Sequence, residues 1–466
     1  MISRPVGILA AIVFVFIIGI YRTSRSITSQ SGSILSVPDG AAPTKPAISK
    51  PDSLLGGDSG ARAPEALAYF EQVFSEKKPP QYGFSALKQQ CERTKWPEDE
   101  VYLQCGGMAA GLTSIMSQVK VCLKMAVEAG TGIVLPAMPL RDSTQLDNFN
   151  FLNGDAYLTY DQWFDAEHLI SQMGSACPQM KIVHPNQLDA ATEDGVAVKN
   201  RWSIDLASAP GYVQFFSYFW AGRPFKEFFE KQLNALENMQ QLDPNRDDSK
   251  KGITVISISS QFLIFRITDD PTGDDLRLWN DLGHLIRFNE VPRKIVKQLL
   301  GQMNRPFYGV HFRVEKDTIW SSLDHQLSVD LDALDNAWLK YGNPTSPKPL
   351  VYLACGDEEQ VEKFVAAGKE RGWDVIHKWA LAQTSPETLG LINGLAFDFQ
   401  GAVDMGIMVK SEFFLGITGS AFSSSIANLR DRTGRYRGSS FVVWDDEGAR
   451  THLFNDGDAG SYACCL

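Results

Sequence analysis

The sequence predicts an α/β protein of two parallel-sheet domains, carried behind an N-terminal membrane helix and an unstructured stem. Three observations predict it. A chain of 466 residues exceeds what one hydrophobic core organises. Residues 101–135 read as strand, Gly-Gly turn, helix and strand. From residue 307 to residue 444, apolar strand-like runs alternate with helical patterns, which is the signature of a parallel sheet with helices on both faces.

The elements follow in order. Seventeen uncharged residues lie between Arg4 and Arg22, including the run Val6 to Tyr21, and as a helix the seventeen cover roughly 26 Å, enough for a thin early-secretory bilayer. Tyr21 and Arg22 follow where a cleavage site would need small residues, so the segment reads as an uncleaved signal anchor with residues 1–21 as cytosolic tip and membrane helix. Flanking charge is nearly balanced and leaves the orientation to the nature of the body. Residues 22–64 are rich in Ser, Pro, Gly and Ala, and they read as a flexible stem with a coil reach of roughly 35 Å. Folded structure is expected from Pro64 onward, where Leu67, Phe70 and Phe74 recur at helical spacing.

An N-terminal domain is expected over 65–300 and a C-terminal one over 301–466. The first opens with a strand at Val101–Gln104, the turn Cys105-Gly106-Gly107, a helix with Leu112, Ile115, Met116, Val119, Cys122, Leu123 and Ala126 on one face, and a strand at Ile133–Leu135. The Gly-Gly turn is read two ways, as a phosphate cradle or as a tight turn chosen for backbone freedom. Ile253–Ile267 is β-rich, and Val291–Leu300 is a helix bridging into the second domain. That domain reads strand Phe307–Phe312, helix Val329–Lys340, strand Leu350–Ala354, helix Glu358–Arg371, strand Asp374–His377, then Phe413–Leu415 and Phe441–Trp444 as further strands.

Composition excludes several classes. The net charge of −11 and pI near 5.2 argue against nucleic-acid binding and against adhesion to acidic membrane surfaces. Seven cysteines without CxxC spacing are too few for a disulfide scaffold and do not suggest zinc. Cys122 reads as a small core residue, whereas Cys91, Cys105, Cys177 and Cys355 are able to pair in ways the sequence does not choose between. Cys464-Cys465 resembles a lipidation site only on the cytosolic side.

The most informative stretch is Tyr308-Gly-Val-His311-Phe-Arg313-Val-Glu315-Lys-Asp317. On a strand, His311 and Arg313 emerge on one face at the C-terminal end, where open α/β sheets bind ligands. An arginine there suits a diphosphate, and a buried structural ion pair is the competing reading.

This stretch resembles the HxRxExD segment of the GDP-fucose protein O-fucosyltransferase superfamily. Ile286-Arg287-Phe288-Asn289, Tyr160 to His168, and Leu415-Gly416 through Ser420-Ala421-Phe422-Ser423-Ser424 are similar to further segments of that family, so the resemblance spans roughly residues 100–445. It implies a GT-B fold of two facing Rossmann-like domains. It also implies that Arg313 grips the β-phosphate of a GDP-sugar and acts catalytically on the leaving diphosphate, with His311 supporting the nucleotide. Ser420, Ser423 and Ser424 would offer donors to the same diphosphate. Asp404 falls where relatives carry a carboxylate that accepts from guanine, with a solvated helix acid as the alternative. Asp357, at a strand end, is either a ligand or the N-cap of the next helix, and Gly106 and Gly107 complete the expected nucleotide site.

One departure stands out. Relatives place an Asn or Glu beside the N-terminal turn, whereas Met108-Ala109-Ala110 carries no titratable group. Glu315 and Asp317 are candidate bases by sequence proximity alone, with an ion pair to Lys316 or Arg313 as the stronger alternative. No metal is expected, because Asp330-Leu331-Asp332 reads as a helix start and Asp456-Gly457-Asp458 as a polar tail. The resulting expectation is an inverting, metal-independent glycosyltransferase without cofactor, moving fucose from GDP-fucose to a protein or glycan hydroxyl. It would be a single-pass type II protein of the Golgi or endoplasmic reticulum membrane, anchored through residues 6–21, with its body in the lumen. The alternatives are a non-catalytic nucleotide-binding or scaffolding relative, or a GT-B enzyme using another nucleotide sugar.

Overall fold

The computed structural model describes residues 70–141, 156–206, 225–242, 251–259, 274–315, 322–417, 420–432, 440–444 and 450–453, with short interruptions. All of them belong to one compact unit, Leu55–Leu466. The expected anchor helix and the stem lie outside the described residues. Among those described, no helix is long and apolar enough to cross a membrane.

The first half runs α1 (Ser85–Arg93), β1 (Val101–Gly106), α2 (Leu112–Ala129), β2 (Gly132–Val134), β3 (Met138–Pro139), β4 (Tyr157–Leu158), α3 (Tyr160–Trp163), α4 (Ala166–Ala176), β5 (Ile182–Val183), β6 (Val198–Ile204), α5 (Phe225–Gln241), β7 (Ile253–Ser259) and α6 (Asp274–Gly283). Its main sheet has the order β5-β2-β1-β7-β6, parallel throughout, and β3 and β4 form a separate hairpin. The second half begins with α7 (Glu290–Gln302). It continues through β8 (Phe307–His311), α8 (Leu323–Tyr341), β9 (Leu350–Ala354), α9 (Glu358–Glu370), β10 (Asp374–Ile376), α10 (Lys378–Ala382), α11 (Pro386–Gly394), α12 (Phe397–Met408), β11 (Phe413–Ile417), α13 (Ala421–Arg432), β12 (Ser440–Trp444) and β13 (Arg450–Leu453). Its sheet order is β10-β9-β8-β11-β12-β13, parallel except for the antiparallel edge strand β13. Every residue of β8, β9 and β11 is buried, as strands covered on both faces must be.

Helix α2 is the hinge of the architecture. It is buried almost all round, its polar residues Thr113, Ser117, Gln118, Lys120 and Lys124 included. It packs on β1, α5 and α6 of its own half and on α12 and α13 of the other. Its two lysines are accommodated locally, Lys120 over the Trp279 ring at 4.0 Å and Lys124 on Glu128 one turn on. Gly130, with φ of +70°, ends the helix in the left-handed conformation that glycine tolerates best. One apolar cluster runs continuously from Val73 through this helix to Leu429, so the two sheets share a core. Helix α7 packs on α10, α11 and α12.

Three expectations need correction. Cys122 is not a lone core thiol but is bonded to Cys105, tying α2 to β1, and Cys91 is bonded to Cys177, tying α1 to α4. The spacing did not show this, because the partners meet only once β1 and α2 fold back on one another. Cys355 is a free buried thiol. Helix α8 starts at Leu323, six residues before the expected Val329, so Asp330 sits inside the helix and is buried rather than capping its start. Asp332 is paired with Arg371 across the surface.

Candidate functional site

At the C-terminal end of the second sheet a cavity of about 260 Å³ opens between the halves. The first half contributes Gly111, Leu112, Thr113, Ser114 and Arg141. The second contributes His311, Arg313, Glu315, Cys355, Gly356, Lys378, Phe397, Asp398, Asp404, Ser420 and Phe422.

His311 ends β8 and is 7% exposed. Its Nδ1 lies 2.8 Å from Ser423 Oγ, which in turn accepts from the Ile417 N–H at 3.0 Å. Which of the two donates in this contact is set by the imidazole tautomer. Burial first, then the charges of Arg313 and Lys378, push the imidazole pKa down to about 3. His311 is therefore neutral at physiological pH. Gly416 makes the arrangement possible, since a Cβ there would stand 2.6 Å from Ser423 Oγ.

Arg313 lies just past the end of β8, where the strand ladder no longer holds the chain. Its place is taken by Gln326 of α8, whose amide donates to the Arg313 carbonyl at 3.0 Å and accepts the Arg313 N–H at 3.1 Å. One turn on, Asp330 is wholly buried, with Oδ2 lacking a hydrogen-bond partner among the described residues. Burial raises its pKa well above the usual carboxylate range, and Gln326 opposes part of that shift. The Arg313 guanidinium faces Glu315 at 3.9 Å.

Two further cations are each held by a carboxylate. Asp398 of α12 accepts from Arg141 Nε (3.1 Å), Nη2 (2.9 Å) and backbone N–H (3.1 Å), and from the Leu112 N–H at 3.2 Å. The N-terminus of α2 thus already holds an anion, supplied by the opposite half. Lys378 donates to Asp404 Oδ2 at 2.8 Å, and Tyr352 donates to Asp404 Oδ1 at 2.6 Å. Of the cavity's carboxylates, Asp398 and Asp404 are engaged on both oxygens. Glu315 makes one long contact among the described residues.

Of the residues singled out in the sequence, the structure brings His311, Arg313, Asp404 and Ser420 together around this cavity, with Glu315 beside them. Ser420 Oγ accepts from the Ser423 N–H at 3.4 Å, at the start of α13. Ser423 stands behind His311 instead of facing the cavity. Ser424 lies in α13, and Asp317 falls outside the described residues. Asp357 caps α9 through the Gln360 N–H at 3.0 Å. Gly106 and Gly107 form the turn after β1, with Gly107 at φ +67°, and they do not line the cavity. The segments 160–168 and 286–289 meet each other instead. Phe164 pairs with Phe288 as an isolated bridge, and Asp165 caps α4 while facing Arg287 at 3.3 Å and Arg293 at 3.5 Å. Their role is to fix the entry into α7.

Sequence reading missed Arg141, Gln326, Lys378 and Asp398. Only Lys378 carried a local signal, a cation just after a strand, the same signal that marked Arg313.

No protein-family model and no curated protein matches the chain. Solved structures that resemble it include POFUT1 in complex with GDP, at 12% identity over 74% of this chain and 96% of that one, with a TM-score of 0.39. The fucosyltransferase NodZ from Bradyrhizobium is 14% identical over 77% of this chain and 99% of its own, with a TM-score of 0.35. A mutant of Arabidopsis thaliana FUT1 in complex with GDP is 12% identical over 83% and 80%, with a TM-score of 0.40.

Proposed function

We propose that the cavity binds a GDP-sugar, GDP-fucose, and that the protein is a GT-B glycosyltransferase moving fucose to a protein or glycan hydroxyl with inversion and without a metal. The observation that carries this reading is the convergence of Arg313, the neutral imidazole of His311 and the Ser420 end of α13 on one cavity. These are the donors a departing diphosphate needs, preorganised on one cavity wall.

In the proposed reaction the acceptor oxygen attacks the anomeric carbon from the face opposite the diphosphate, the carbon–oxygen bond to the β-phosphate breaks, and GDP leaves. Arg313 neutralises the charge that grows on the β-phosphate, and His311 donates to it without adding a second charge. The acceptor proton passes to water on that opposite face. Glu315, 3.9 Å from the guanidinium that holds the β-phosphate, stays on the leaving-group side as the ion-pair partner of Arg313.

The two disulfides support a body lying in an oxidising compartment. With the anchor expected at residues 6–21, this reading places the protein as a type II membrane protein of the Golgi or endoplasmic reticulum. The test is a calorimetric titration of GDP against the full-length chain and its Arg313→Ala variant. GDP binding that falls by about 100-fold in the variant is expected from the loss of a charged donor. Absence of binding, or binding untouched by the substitution, would refute the proposal. A second reading, a non-catalytic relative, is favoured by the buried apolar residues Met108 and Ala109 at the turn where the family resemblance implies a polar group. Binding of GDP-fucose without transfer or hydrolysis would decide for it.

A further inference from the structure

The Lys378–Asp404 pair is not explained by stability. Both side chains are nearly wholly buried, at 3% and 7% exposure, and taking such a pair out of water costs about as much as its attraction returns. Yet it lines the cavity instead of being sealed in the core. Its hydrogen-bonding capacity is only partly used. The ammonium has three donors, of which one goes to Asp404 and one points at the Cys355 carbonyl at 3.5 Å, while its charge lies 4.1 Å from the centre of the Trp379 ring. Each carboxylate oxygen accepts one bond and has room for a second. The cavity wall therefore offers a fixed donor beside a fixed acceptor.

Position along the sheet decides what meets them. Lys378 follows β10, two strands from β8, which carries His311 and leads to Arg313, and three from β11, which leads to Ser420. At about 4.8 Å per strand these are separations of about 10 and 14 Å, which leaves a ribose-sized gap between a diphosphate at Arg313 and a base at Lys378. Guanine presents the O6 acceptor next to the N1–H and 2-amino donors, the complement of a donor beside a carboxylate. Adenine and cytosine present an amino group where the lysine would need an acceptor. Uracil turns a second carbonyl toward the carboxylate.

Resting on the nucleotide-sugar reading above, we propose that Lys378 is a specificity-determining residue of this site, donating to guanine O6 while Asp404 accepts from N1–H and the 2-amino group. The pair then selects the base together, and neither residue alone distinguishes guanine from uracil as well.

The test is a ligand-by-variant cycle on the full-length chain, read by calorimetry with GDP, with inosine diphosphate, which lacks the 2-amino group, and with the diphosphate of 2-aminopurine riboside, which lacks both O6 and the N1–H and so keeps the 2-amino contact alone. Lys378→Met is expected to weaken GDP by about 10- to 100-fold, the range for a hydrogen bond from a charged donor. It should leave the affinity for the 2-aminopurine compound unchanged and the ratio of GDP to inosine diphosphate affinity unchanged. Since Lys378→Met leaves a buried carboxylate without its cation, thermal melting accompanies each variant, and Lys378→Gln, which keeps an amide donor, runs the same cycle should the first fail to fold. Equal losses for GDP and the 2-aminopurine compound, or no loss for either, would overturn the assignment while leaving the nucleotide site standing. Failure of the folded wild-type chain to bind GDP at all would instead overturn the reading on which the assignment rests.

Discussion

Two buried titratable residues beside the cavity oppose one another in pH. His311 has its folded pKa near 3 against an ordinary 6.5, so the unfolded chain binds more protons between those values and stability falls as pH drops through the window. Asp330 is displaced the other way, from an ordinary 3.8 to well above it, so the folded chain holds a proton that the unfolded chain has released, and stability falls as pH rises past 3.8. Asp330→Asn removes the second effect and keeps an amide beside Gln326. The variant is expected to melt higher than the wild type at pH 7, with the advantage shrinking to nothing as pH approaches 4. Thermal melts across pH 4–8 check this. A variant less stable than wild type at pH 7 would mean that the Asp330 carboxyl stabilises the Gln326 clamp by more than its burial costs. The clamp matters for function because the Gln326 amide holds both backbone polar groups of Arg313 where the ladder of β8 has ended.

The decisive element is α2, and its N-terminus shows why the Gly-Gly turn misleads. A helix N-terminus attracts an anion, and the sequence offers a phosphate as the natural guess. The fold supplies Asp398 instead, 286 positions away from Leu112, and no local pattern reveals a contact at that separation. The same carboxylate fixes Arg141, and Gly111 is needed at this point because a Cβ would stand 2.7 Å from the Arg141 guanidinium. Asp398 is thus a clasp between the halves as well as a cap. Asp398→Ala, which strips both the cap and a buried charge partner, is expected to cost about 3–5 kcal/mol. Asp398→Asn keeps an acceptor for the Leu112 N–H and should cost less. Urea midpoints of the three proteins give the order directly, and equal loss in both variants would assign the whole effect to the ion pair with Arg141.

On the scale of the whole molecule, the sequence was most legible where strands are fully buried and short-range patterns dominate. β1, β8, β9 and β11 fall within two residues of expectation, because all-apolar runs ending in Gly or polar residues leave few alternatives. β6, with Lys, Asn and Arg among its residues, sits at the sheet edge and carries no such run. Of the site, the strand-end pair His311 and Arg313 was legible and the family resemblance marked Asp404, whereas Asp398, which balances Arg141, and Lys378, which Asp404 holds, depend on tertiary contacts. The shared core makes a final expectation possible. Both disulfides among the described residues lie in the first half, closing loops with sequence separations of 86 and 17 residues. By chain entropy they contribute about 4–5 and about 3 kcal/mol. Cys355, in the second half, is a buried thiol pushed up to about 12, so it remains protonated and does not exchange with them. If the halves were independent, replacing Cys91 and Cys177 by serine would lower one calorimetric transition and leave another in place. Because one apolar cluster runs from Val73 to Leu429, with α2 packed on both sheets' helices, the double variant should instead melt in a single transition shifted down as a whole. Two separated endotherms, only the lower one moving, would show that the clasp at Asp398 and the shared core do not couple the halves.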